Sequence, residues 1–79
     1  MNAEIVRQKV IAQLGGCEVF VEGEGANYLV TAVGEQFAGL SPVKKQQVVY
    51  ACLTDELADG SIHALTIKTF TPEQWAARA

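Results

Sequence analysis

The sequence predicts an α+β domain in which a three-stranded sheet packs against helices in the order α-β-β-α-β-α. Three observations carry this. An apolar stripe at helical spacing occupies residues 2–14. Two alternating segments flank a glycine-bearing turn in residues 17–33. A third β-rich run, residues 62–70, lies between two helix-start signals, Ser41-Pro42 and Thr71-Pro72.

The first helix is expected over residues 2–14. Asn2 can accept a bond from a free N–H, and Glu4 favours the positive end of the helix dipole. Val6, Val10 and Leu14 recur at four-residue steps, with Ile11 and Ala3 widening the stripe. Gly15-Gly16 ends it. Cys17–Glu22 then alternates as a strand, with Val19 and Val21 on one face and Phe20 and Glu22 on the other. Glu22-Gly23-Glu24-Gly25 reads as a turn and Asn27–Val33 as the returning strand of a hairpin. Both faces of that second strand are fairly apolar, so packing must choose which is buried.

Gly34–Leu40 is a connection in which Phe37 and Leu40 can plug a core edge. Ser41 caps the next helix, and Pro42 suits its first position because the N–H it lacks has no helical partner there. This helix is expected to run to about Ala58, burying Val49, Cys52, Leu53 and Leu57, before Asp59-Gly60 stops it. Residues 62–70 are rich in β-branched and aromatic side chains and form the third strand. Thr71-Pro72-Glu73-Gln74 is a capping box for a last short helix, from which Trp75 can fold back onto the core.

Seventy-nine residues make one domain with a modest core, since a chain this short buries only about 60% of its unfolded surface. Nine acidic against six basic residues give a net charge of −3, which opposes non-specific binding to phosphates. Lys44-Lys45 is the one local basic candidate. Two cysteines, Cys17 and Cys52, make no disulfide framework. Cys52 lies in an apolar run and reads as a buried thiol. The amino terminus does not look like a signal peptide, and no apolar stretch is long enough to span a membrane. A reducing cytoplasm is the expected compartment.

Enzyme motifs are missing: there is no phosphate loop followed by Lys and Ser/Thr, and no close cysteine pair. Gly23-x-Gly25 lies between strands, where a turn explains it. Glu22 and Glu24 share that exposed turn, which offers no reason for the raised pKa a general acid needs. His63 is the only histidine. By strand parity it aligns with Leu65 and Ile67, which suits a hydrogen-bonded structural residue. Neutral imidazole is also a good ligand for iron or zinc. One His and two separated Cys do not make a four-ligand motif, so a metal at His63 would need ligands from outside the chain. Lys44-Lys45-Gln46-Gln47 reads as a solvated face or as a contact for nucleic acid or an acidic partner. Cys17 follows two glycines and is a candidate ligand or a strand-edge residue.

Three stretches together resemble the BolA family, particularly its short bacterial branch. They are Val21-Glu22-Gly23-Glu24-Gly25, the run from Phe37-Ala38-Gly39-Leu40-Ser41-Pro42 to Tyr50, and Ile62-His63-Ala64-Leu65-Thr66-Ile67-Lys68-Thr69-Phe70-Thr71-Pro72-Glu73-Gln74-Trp75. The resemblance covers almost the whole chain. It implies a K-homology-like α+β fold and a non-enzymatic partner of a monothiol glutaredoxin. The shared cofactor would be a 2Fe–2S cluster, ligated by His63 on this side and by a glutaredoxin cysteine and glutathione on the other. No cluster is expected in the isolated chain. Where relatives often carry a second His or Cys, this chain has Asn27, a poor iron ligand. Cys17 is the candidate replacement, and a labile cluster or another fourth group fits equally well. The family also suggests DNA binding and transcriptional control, here through Ser41–Gln47 with Lys44 and Lys45; the net acidity would make it weak and salt-sensitive.

Overall fold

A computed structural model describes residues 1–78. The first helix, α1 (Ala3–Gln13), starts where Asn2 predicts, its side chain accepting from the Ile5 N–H at 2.9 Å. Strands β1 (Glu18–Glu24) and β2 (Asn27–Val33) form the antiparallel hairpin, and β3 (Ala64–Phe70) pairs with β2 in parallel. The strand order is therefore β1-β2-β3. A parallel pair needs a crossover, and the residues between β2 and β3 supply it.

Packing decides the faces of β2. Tyr28, Val30 and Ala32 turn inward, level with Val21 and Val19 of β1 and with Leu65 and Ile67 of β3. Val6 and Val10 of α1, Phe37, Val49, Leu53 and Ile62 complete the core. Long side chains engage both sheet edges. The Arg7 Nε donates to the Val19 carbonyl at 3.0 Å, and the Gln46 amide donates to the Ile67 carbonyl at 3.2 Å. Occupying outward carbonyls in this way blunts an edge against further pairing.

The hairpin is tighter than its sequence suggests. Glu24 is still paired with Asn27, so the loop is only Gly25-Ala26. Gly25 takes φ +66°, which suits the first position of a two-residue hairpin turn. The long helix expected to reach Ala58 is broken into α2 (Pro42–Tyr50), a 3-10 turn (Ala51–Leu53) and α3 (Thr54–Asp59). The Thr54 hydroxyl donates toward the Tyr50 and Ala51 carbonyls, each at 3.3 Å, competing with the backbone for these acceptors. The tightened turn still delivers Cys52 and Leu53 to the core.

The connection 34–40 contains a short 3-10 turn (Glu35–Phe37), and Phe37 is fully buried. The last helix, α4 (Pro72–Ala77), has the reciprocal Thr71–Gln74 capping box. Trp75 does fold back, but not onto the core. It stacks on Phe20 at 5.3 Å and meets Phe70 at 5.2 Å, both on the opposite face of the sheet. The parity of β1 and β3 sends these two aromatics outward, so the indole can reach them only there. No helix among the described residues is long and apolar enough to cross a membrane.

Candidate functional site

The third strand begins one residue after His63, which frees this histidine from the parity expected of it. Leu65 and Ile67 face the core, whereas His63 is exposed. Its position is set from both sides. Upstream, Gly60 takes a left-handed φ of +84°, and the Asp59 carboxylate accepts from the Ser61 N–H at 2.8 Å. Bonds from Ser61, first its side chain and then its backbone, hold the Asp59 carboxyl below its usual range. Ile62 is then buried, with its N–H bonded to the Glu56 carbonyl at 3.0 Å. Downstream, the hairpin takes over. The Ala26 carbonyl accepts from the His63 N–H at 2.7 Å and from the Ala64 N–H at 3.1 Å.

The backbone of His63 is thus anchored while its imidazole makes no hydrogen bond or ion pair among the described residues. Such a ring can offer a nitrogen to an outside acid or metal. Beside it, Asn27 is exposed and level with Ala64. Glu22, Gly23, Asn27, Tyr28, Leu29, Ala64 and Thr66 line a shallow, open depression at this end of the sheet.

The other candidates lie elsewhere. Cys17 precedes the Glu18–Val33 end of the sheet, whereas Asn27 and Ala64 mark the opposite end. The six steps of β1 between those ends span about 20 Å at ordinary strand rise. Cys17 therefore cannot serve as the second ligand beside His63. Burial pushes its thiol up, and it does the same to Cys52, where the neighbouring Cys17 adds to the effect. Raised thiols carry little of the thiolate that binds metal. No group of three His, Cys, Asp or Glu among the described residues could hold a metal ion.

Lys44 and Lys45 open α2, where Ser41 caps the Lys44 N–H at 3.2 Å. Lys44 is exposed and Lys45 half-buried. The adjoining Gln46 bonds at Ile67, four residues beyond His63 and about 13 Å along an ordinary strand. That bond lays α2 against β3. Sequence reasoning missed the Ala26 carbonyl and Tyr28. Backbone acceptors leave no residue-type signal, and Tyr28 read only as an apolar strand position.

The structure is thus a small α+β scaffold that presents an exposed imidazole on an anchored backbone. Comparison with known proteins narrows the class: residues 7–74 match the model of BolA-like proteins, and the chain belongs to that family. It is 54% identical over 59 residues to the acid stress protein IbaG of Escherichia coli K12, covering 75% of this chain and 70% of the relative. It is 47% identical over 53 residues to the DNA-binding transcriptional regulator BolA of Vibrio cholerae, covering 67% of this chain and 49% of the relative. Among solved structures, a BolA homologue from Coxiella burnetii matches with a TM-score of 0.83 at 25% identity over 96% of this chain and 97% of that one. BolA1 from Arabidopsis thaliana matches at 0.78 and 30% identity over 91% and 93%.

Proposed function

We propose that this protein is a non-enzymatic partner of a monothiol glutaredoxin in the assembly, traffic or sensing of 2Fe–2S clusters. The observation that carries this reading is the His63 imidazole, exposed and without a hydrogen-bond partner among the described residues, while its backbone is pinned by Ala26. The donor set fits a shared cluster and not a resident one. One available imidazole is a single ligand, and no cluster of His, Cys, Asp or Glu among the described residues completes a site around it. His63 would hold one iron through a ring nitrogen, and a glutaredoxin cysteine with glutathione would supply the other ligands. A cluster bound there would supply electron-transfer or iron-donor chemistry, while the chain contributes an exposed imidazole on an anchored backbone. Asn27 adds no soft donor, which favours a cluster that is readily passed on.

Titrating cluster-loaded monothiol glutaredoxin with this protein tests the reading. Visible circular dichroism should change to a new spectrum, and mass measurement should show a one-to-one complex. His63→Ala should keep its fold and lose the spectral change. An unchanged response from that variant would remove His63 as the ligand.

A second reading, weak DNA binding through the amino end of α2, is favoured by the name of the Vibrio cholerae relative and by the capped Lys44-Lys45 turn. It requires duplex binding that falls steeply with salt and weakens when both lysines become Ala, with His63→Ala having no effect.

A further inference from the structure

We infer that Tyr28 is a positioning residue for His63, acting through the hairpin turn; this rests on His63 being the functional donor. Tyr28 lies in the central strand and is only 3% exposed, yet its hydroxyl leaves the apolar core to donate to the Gly25 carbonyl at 2.8 Å. That carbonyl belongs to the Gly25–Ala26 peptide. The next carbonyl along the chain, of Ala26, accepts from His63 and Ala64. Two consecutive peptide groups of a two-residue loop are therefore held from opposite sides, one by the core and one by the site. Only the φ and ψ of Ala26 separate the held Gly25–Ala26 peptide from the Ala26 carbonyl, and Asn27 on its far side is fixed by pairing with Glu24 and Ala64.

Gly23 makes this arrangement possible. It sits opposite Tyr28 in the ladder with φ +131°. A Cβ there would lie 2.2 Å from the Asn27 carbonyl oxygen and 2.9 Å from the Tyr28 Cα. Only glycine permits so close a backbone approach. A buried tyrosine must find an acceptor somewhere. Here the acceptor is the turn that anchors His63, so the hydroxyl links core packing to the presentation of the imidazole.

The test is Tyr28→Phe, which keeps the ring in the core and removes only the hydroxyl. Amide exchange of His63 and Ala64 should quicken about fivefold, the size expected for one ordinary hydrogen bond. Amides in the middle of β2 and β3 should not change. In titration with cluster-loaded glutaredoxin, the variant should need several-fold more protein to reach the mixed spectrum. Uniform quickening of all amides, or a His63 amide unaffected by the substitution, would overturn the proposal. If the site amides loosen but wild-type protein gives no mixed spectrum, the positioning role stands and the cluster reading falls.

Discussion

At the Glu18–Val33–Phe70 end of the sheet, side chains close the surface. Trp75 lies across Phe20 and Phe70, and Phe37 is buried. At the Glu24–Asn27–Ala64 end, backbone does the same work: a two-residue loop, a glycine that admits a close carbonyl, and one acceptor shared by two N–H groups. Side-chain closure hides whatever it covers, and Cys17 at this end is half-buried against the core. Backbone closure fixes the chain and leaves side chains free, so the exposed imidazole sits at that end.

The largest effect on this contrast should come from Gly23→Ala. It places an L residue at φ +131° with its Cβ against backbone atoms that cannot simply rotate away. The expected loss is about 2–4 kcal/mol, read as a fall in the denaturant midpoint. A loss below about 0.5 kcal/mol would mean that the hairpin tolerates a side chain there and is not backbone-limited.

Trp75→Ala should cost less, about 1–2 kcal/mol, because two aromatic contacts on a partly exposed face are removed rather than core volume. Its effect should stay at the closed end, with the chemical shifts of His63 and Asn27 unmoved. Shifts spreading to the hairpin would show the two ends to be mechanically coupled.

The smallest effect is on pH dependence. Burial raises both thiols in the folded state, so above the ordinary thiol pKa of 9.0 the unfolded chain loses protons that the folded chain retains. Stability should therefore be unaffected by these groups below that pH and decline as pH rises past it. Cys17→Ser with Cys52→Ala should flatten the decline in denaturation measured between neutral and alkaline pH. A decline of the same slope in the double variant would assign it to other groups.

Much of the fold was legible because its signals are local. Asn2, Ser41 and Thr71 cap their helices as residue type predicts, since a short side-chain oxygen meets a free N–H wherever a helix begins. The stripe of Val6 and Val10 is buried for the same kind of reason. The break after Tyr50 was not legible. Helical spacing continues through it, and the competition from the Thr54 hydroxyl depends on a backbone already folded. The direction of Trp75 was hidden too, because an indole suits either face of a sheet until strand pairing determines where Phe20 and Phe70 point.

The amino acids alone determined the order of elements, the caps, the buried stripe of the first helix and the presence of a single imidazole, all of which depend on neighbours a few residues apart. Tertiary structure decided that His63 is exposed at the open end, that Cys17 lies at the other, and that Tyr28 reaches from the core to the turn beside His63. Those facts depend on strand register and on where each strand begins, and a shift of one residue reverses the face on which a side chain emerges.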